Sequence, residues 1–435
     1  MFRTLFITLF TFILCQNSIA QSRVTYVELL RSQRQSQIYF EHSFHPSSDS
    51  LTEISVNFRI EHDFLTFTKN RDNSYQTEIK GSLEFYDKYG MVIRTSFWSA
   101  EKRVDSYEKT QVRDEFITGR IHTELTSGSY FYQLKFQGGT QRREITSEKV
   151  PFTINPQNAI WFYMLEETEI GSESISLINY GGNAVYGKNV KVAVSLSDSM
   201  YQFSKNSLSL ELEQLDIVEK DTNFVKSLFK KSISDSLIQL NKSLQMTDNE
   251  IPQIKLGVSQ TGFATFFTSI ENKTYPNAYY RLKLFKNDSL IASKVYQSYW
   301  YDIPLSLLNL DVSISMLKFI LPAEKIKQTF SGNEQKKLTS FSTFWKEKDP
   351  TPESDFNELM YEFYKRIDFT FKEYTTPGKP GFETDMGKIY IVYGPPISKE
   401  RALPSNGFVV ESWYYKSRSF SFQATSGFGD FELIR

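Results

Sequence analysis

The chain of 435 residues carries 50 Lys plus Arg against 51 Asp plus Glu, a formal net charge of −1. That balance leaves no net field to steer the protein toward nucleic acid or anionic lipid, and nucleic acid is excluded as a partner. The single cysteine, Cys15, sits in the leader, so the mature chain has no thiol nucleophile, disulfide or cysteine metal ligand. The length allows about three domains on the usual size range.

Arg3 is the only charge before Arg23, residues 5–14 are apolar apart from Thr8 and Thr11, and Ser18-Ile19-Ala20 puts small residues before Gln21. This predicts a signal peptide over 1–20, too short in its apolar run to span a bilayer. A lipoprotein signal with Cys15 as the acylated residue needs a small residue just before it, and Leu14 stands there. Export follows, to the periplasm, the outer membrane or the exterior. Beyond the leader no transmembrane segment is expected: the best stretch, 305–321, carries Asn309, Asp311 and Lys318. Association with the outer membrane would be peripheral.

Residues 21–156 read as a β-sandwich domain. Ile54-Ser55-Val56-Asn57-Phe58-Arg59-Ile60 alternates apolar and polar with period two, as do Ser82-Leu83-Glu84-Phe85-Tyr86 and Tyr130-Phe131-Tyr132-Gln133-Leu134. Turn signals at Asp72-Asn73, Lys88-Tyr89-Gly90, Ser127-Gly128 and Gly138-Gly139 separate them. The run from Leu125 to Tyr130, followed by Val150-Pro151-Phe152-Thr153-Ile154, is similar to the last two strands of an immunoglobulin-like module. Asn155-Pro156 marks the boundary.

Residues 157–303 read as a second β-rich, sandwich-like domain, with a hairpin across Asn287-Asp288. The stretch 208–249 stays open between helix and strands, because Phe224, Leu228, Ile233, Leu237 and Leu240 fit either period. Aromatic residues are 15% of the chain, with 37 Phe and 25 Tyr, and suit both sheet cores and partner-binding faces.

Residues 304–435 change to α+β: two helices, then a small antiparallel sheet. Ser331-Gly332-Asn333-Glu334 is read as a capping box and Thr351 as the cap of a helix whose stripe is Phe356, Leu359, Met360, Phe363, Ile367 and Phe371. Strands are predicted over 388–393, 409–415, 419–423 and 430–434.

The stretch Gly381-Phe382-Glu383-Thr384-Asp385-Met386-Gly387, ending in Tyr393-Gly394-Pro395-Pro396, resembles the signature of the GWxTD-domain family of bacterial envelope proteins. The run Phe344-Trp345-Lys346-Glu347-Lys348-Asp349-Pro350-Thr351-Pro352, the pair Asn357-Glu358, the stretch Glu362 to Arg366, Ser412-Trp413-Tyr414-Tyr415 and Gly427-Phe428-Gly429-Asp430 follow the same pattern in order. Asn179-Tyr180-Gly181-Gly182 also resembles an N-terminal turn of that family. Phe382 stands where the family has Trp, which keeps an aromatic anchor and removes an indole donor. The resemblance implies an architecture and an envelope setting, with no settled activity.

Asp385 is the strongest candidate for chemistry, as a general acid, base or cation ligand. Turn chemistry explains the same letters: Thr384 and Asp385 oxygens capping amides, with Gly387 at positive φ. Gly394-Pro395-Pro396 reads as a strand terminator, since proline has no N–H to cradle phosphate. The histidines, His42, His45, His62 and His122, all fall in the first β segment, and His42-x-x-His45 lacks a third ligand at metal spacing. Glu166-Glu167-Thr168-Glu169 after Trp161-Phe162-Tyr163 reads as a solvated turn. No cofactor and no metal are expected. The favoured expectation is a secreted, non-catalytic scaffold or binding module for an envelope protein or polymer, in which Gly381, Phe382, Thr384, Asp385, Gly387, Tyr393, Gly394, Pro395, Pro396 and Trp413 form the motif. The alternative is an envelope hydrolase acting on glycan or peptide with Asp385 and a second carboxylate.

Overall fold

The computed structural model of the protein describes residues 28–29, 38–48, 50–62, 65–111, 115–138, 143–167, 174–201, 208–218, 221–247, 252–259, 262–404, 407–425 and 430–434. The leader over 1–20, Cys15, the processing site at Gln21, Gly139, Thr168-Glu169 and Gly427-Phe428-Gly429 lie outside them. One compact unit comprises Ser36–Asp302 with Ser354–Phe356; a second is built on Ile303–Glu353 and Asn357–Arg435.

In the β unit, period-two sequence becomes antiparallel sheet. Strand Thr52–Glu61 lies between Ile38–Pro46 and Phe116–Leu125. A second sheet is built on Tyr75–Tyr86 and Gly128–Gly138, with Val92–Val104 paired to the former and Val150–Ile154 to the latter. Successive side chains point to opposite faces, so Ile54, Val56, Phe58 and Ile60 from one sheet and Ile79, Leu83, Phe85 and Phe136 from the other meet in one core. Phe58 lies edge-on to Trp98 at 4.8 Å and to Phe136 at 4.7 Å. A Cβ at Gly119 would stand 2.4 Å from the Phe58 ring, so only glycine leaves room for it.

Residues 160–299 add further sheets around a second core. The open stretch proves to be β: Leu208–Val218 and Asp221–Ile233 form a hairpin, and Gln239–Leu240 and Lys242–Met246 follow. The strand period buries Leu208, Leu210 and Leu212, with Leu210 opposite Leu284 and Leu212 opposite Leu282. Phe224, Leu237 and Leu240 of the possible helical stripe are exposed instead. Two tyrosines pin strand starts. Tyr130 Oη donates to the Thr126 carbonyl at 3.2 Å, and the buried Tyr280 Oη to the Pro276 carbonyl at 2.7 Å.

The second unit holds helices α1 (Leu310–Met316), α2 (Ala323–Thr329), α3 (Glu334–Lys346), α4 (Glu358–Tyr374) and α5 (Asp385–Tyr393), then a four-stranded antiparallel sheet. The sheet order is Ser398–Ala402, Val410–Tyr415, Arg418–Ala424, Phe431–Leu433. Helices α3 and α4 match the expected pair, but their caps differ. Asn333, not Ser331, accepts the Lys336 N–H at 3.0 Å, and Asn357, not Thr351, accepts the Met360 N–H at 2.8 Å. Asparagine is as good a cap as serine or threonine, and its register decides. The stretch 305–321, read only for its hydropathy, folds as short helical turns around buried Leu305, Ile314, Met316 and Leu317.

The largest correction concerns 388–393, expected as a strand and found as helix α5. Ile389-Tyr390-Ile391-Val392-Tyr393 has strand propensity, yet Thr384 caps the segment as a helix and Ile391 enters the helical core. Tertiary context overrides β propensity here. The sheet takes its first strand from Ser398–Ala402 instead. Among the described residues no helix is long and apolar enough to cross a membrane.

Candidate functional site

The signature is a folded connector between α4 and α5. Near the end of α4, Thr375 Oγ1 accepts the Gly381 N–H at 2.8 Å and donates to the Phe371 carbonyl. Gly381 lies directly on the helix: a Cβ there would stand 1.7 Å from the Thr370 carbonyl oxygen. Gly387 lies in turn on Gly381, and its Cβ would be 1.9 Å from that residue's carbonyl oxygen. Gly387 is not among the positive-φ glycines, so the expected left-handed turn is replaced by a helical first turn. Both glycines answer a close backbone approach. Thr384 ties the two together, donating through Oγ1 to the Gly381 carbonyl at 2.7 Å and accepting the Gly387 N–H at 3.0 Å.

Phe382 is fully buried in the helical core. Its ring stacks on Phe371 at 5.9 Å and meets Phe319 edge-on at 6.4 Å. Lys318 Nζ lies 5.7 Å over the ring and pairs with the Glu383 carboxylate.

Asp385 is the first residue of α5, where a carboxylate favours the helix dipole. Its Oδ2 accepts the Leu433 N–H at 3.1 Å and Oδ1 lies 3.4 Å from Lys388 Nζ. The carboxylate therefore holds the closing strand, rather than the amides of its own turn. This is a bond across 48 positions that no local spacing announces.

Gly394, at φ 77°, ends α5 with its N–H on the Tyr390 carbonyl at 2.8 Å. Its own carbonyl accepts from Tyr415 Oη at 2.9 Å, and burial pushes the Tyr415 hydroxyl up to about 12. Pro395 and Pro396 lack the N–H that a further helical turn needs, so they stop a helix where a strand end was expected. Tyr393 is half exposed, and its hydroxyl accepts from Arg418 Nη1 at 2.8 Å while the guanidinium covers its ring at 4.8 Å.

Trp413 is buried on the helix side of the sheet, beside Phe422 at 4.9 Å and Tyr374 at 5.6 Å. Its Nε1 donates to Glu411 Oε1 at 2.7 Å, and Arg401 Nε donates to Glu411 Oε2 at 2.5 Å. Lys399 Nζ sits 4.8 Å over the indole. The pairing of Lys399 with Trp413 and Arg401 with Glu411 across the strands sets this up. Sequence reasoning missed Asp368, whose carboxylate accepts the Ser306 N–H at 3.2 Å, Ser306 Oγ at 2.8 Å and the Leu305 N–H at 2.5 Å. Its partners lie more than sixty positions away.

A second polar cluster lies in the β unit. Burial pushes the Glu41 carboxyl above its ordinary range, opposed by the Lys294 charge and the Asn179 N–H. Burial likewise pushes the Lys294 ammonium below its ordinary range, opposed by Glu41. Gly182 leaves the room: a Cβ there would stand 3.2 Å from Lys294 Nζ and 3.3 Å from Glu41 Oε2. Neither polar atom of the Asn179 amide finds a partner among the described residues. His42 Nδ1 lies 3.3 Å from Tyr132 Oη, while His45 bonds Ser43 Oγ at 2.9 Å and the Leu244 carbonyl at 2.8 Å. Glu166 ends its strand 3.7 Å from the Arg59 guanidinium. Among the described residues no group of three or more His, Cys, Asp or Glu is placed to hold a metal ion.

Residues 307–435 match the family model of the GWxTD domain, and the C-terminal region carries that domain. No curated protein matches the chain. Among solved structures, red sea bream transglutaminase aligns at 8% identity over 61% of this chain and 31% of its own length, with a TM-score of 0.16. The chain thus spans about a third of that protein. A structure named pT26-6p aligns at 8% identity over 86% of this chain and 88% of its own, with a TM-score of 0.13. Scores at this level carry no argument about fold or activity.

Proposed function

We propose, starting from the GWxTD domain at residues 307–435, that this is an exported, non-catalytic cell-envelope protein: a scaffold whose β modules present a binding surface. The observation that carries the reading is the state of Asp385. Its two oxygens face the Leu433 N–H and the Lys388 ammonium, and the hydroxyl next to it in the signature, Thr384 Oγ1, is spent as a helix cap. A general acid or base must reach the proton it moves, and both oxygens of this partly exposed carboxylate already face partners within the fold.

The β modules read as immunoglobulin-like sandwiches. Support comes from Tyr130 and Tyr280, whose hydroxyls each bond a carbonyl four residues upstream at a strand start, the arrangement of a tyrosine corner. The test is capture from cell-envelope extract by the mature chain and by its Asp385→Asn variant, alongside hydrolysis assays on peptidoglycan and envelope proteins. Equal capture by both, with no turnover, is the expected result. Turnover that disappears in Asp385→Asn at unchanged folding would overturn it.

A further inference from the structure

The hairpin joining Tyr75–Tyr86 to Val92–Val104 ends in an exposed apolar tip. Tyr89 is 79% exposed, Met91 67%, Val92 53% and Ile93 43%. A register shift beside Tyr86 pairs that residue with Val92 and Phe85 with Arg94, which leaves Ile93 as an extra residue in the outer strand. Three consecutive apolar side chains, 91 to 93, are therefore exposed, although successive residues of a strand point to opposite faces. They surround the tip instead of forming one face. A protein pocket covers one face of a strand; a medium that wets a convex tip from all sides is an apolar liquid, such as the outer part of a bilayer's acyl region.

The charges at the tip agree. Lys88 and Arg94 flank the apolar run, and neither forms an ion pair among the described residues. Arg94 Nη1 donates to the Thr123 hydroxyl, and Lys88 Nζ lies 5.0 Å over the Tyr89 ring. The nearby carboxylates are taken up. Asp87 Oδ1 accepts the Tyr89 and Met91 N–H groups, both at 2.9 Å, which stiffens the turn. Glu84 accepts from Lys135 and from Tyr86 Oη. Apolar residues ringed by unpaired cations are the composition that binds an anionic interface. The near-neutral chain as a whole supplies no such attraction.

We infer that the Lys88–Arg94 hairpin tip is a membrane-docking element that inserts Tyr89, Met91, Val92 and Ile93 into the surface of an anionic phospholipid bilayer. It goes beyond the scaffold reading and is independent of it. Phosphates meet Lys88 and Arg94, while the closed turn enters as a preformed wedge with few residues left to order.

The experiment is vesicle flotation of the mature chain with phosphatidylglycerol-containing and pure phosphatidylcholine vesicles, for the parent, Met91→Asp and Lys88→Glu. The parent is expected to float with the anionic vesicles at least tenfold more than with the neutral ones. Met91→Asp should lose that partition at either composition, and Lys88→Glu should lose the preference for anionic lipid. All three should melt at the same temperature, because the tip is outside the core. Failure of the parent to float, or flotation unchanged in Met91→Asp, overturns the inference. So does a parent dimer in solution that Met91→Asp converts to monomer, which would assign the tip to a second copy of the chain.

Discussion

The signature connector and the Asn179-Tyr180-Gly181-Gly182 turn both look like glycine-marked turns, and they use glycine for opposite reasons. In the connector, Gly381 and Gly387 have no left-handed backbone; they are bare because a carbonyl oxygen occupies the place of a Cβ. In the other turn, Gly181 and Gly182 take φ of 67° and 76°, following Asn179 at 57°, with no backbone atom within 3 Å of the missing Cβ. Their side-chain polarity differs too. Thr384 and Asp385 are bonded through, whereas the Asn179 amide is buried without a partner among the described residues. Close approach is a constraint set by two segments at once, and positive φ is a constraint set by one residue. The first should be the less forgiving.

That contrast can be broken most forcefully at Gly381. Alanine there forces the connector off α4, un-burying Phe382 and releasing the Thr384 cap, so the loss should exceed the roughly 3–5 kcal/mol of a large-to-small aromatic deletion. Limited proteolysis should cut the C-terminal unit while leaving the β unit resistant; an intact, equally stable variant would refute the close-packing account. Phe382→Ala tests the same element from the core side, with an expected cost of about 3–5 kcal/mol in a denaturant titration. Phe382→Trp should cost less than the alanine variant, since Lys318 at the rim is a long side chain that can move.

Acid separates the two units, because every histidine lies in the β unit. Burial pushes His42 down to about 4, helped by the Lys294 charge. Burial likewise pushes His45 down to about 4, opposed by the Leu244 carbonyl and Glu53 and helped by Arg120 and His122. A folded value below the ordinary one means stability that is full above about pH 6.5 and is lost as pH falls toward 4, on the order of 3 kcal/mol per ring. Hydrogen exchange of strand Ile38–Pro46 should accelerate over that window, and His42→Asn should flatten the dependence. A pH-independent strand would contradict the neutral, buried state of these rings.

Smaller effects sharpen the comparison. Gly181→Ala should cost about 1–2 kcal/mol, the strain of a left-handed non-glycine residue, well below Gly381→Ala. If thermal melts rank the two the other way, positive φ and not close approach is the stronger demand. Asp385→Asn should cost least, about 1 kcal/mol, because an amide oxygen can still accept the Leu433 N–H while the helix-dipole and Lys388 attractions are lost.

The sequence alone determined the β segments with a clean two-residue period, the two long C-terminal helices, three of the four strands of the last sheet, and the motif that matches the GWxTD domain. These are local matters: alternation over five to seven residues, an apolar stripe at helical spacing, and letters in order. What tertiary structure decided lies where local signals compete or partners are remote. Residues 389–393 have the side chains of a strand, yet a threonine cap and a core position make them helix α5. Residues 208–249 fit two periods, and for the first strand there, Leu208–Val218, the facing strand Tyr279–Lys286 selects one by offering Leu282 and Leu284 to Leu212 and Leu210. Asp368 and Asp385 find amides dozens of positions away, and Gly381 is glycine because of Thr370's carbonyl. A sequence states each residue's own preferences; it does not state which backbone atom will arrive beside it.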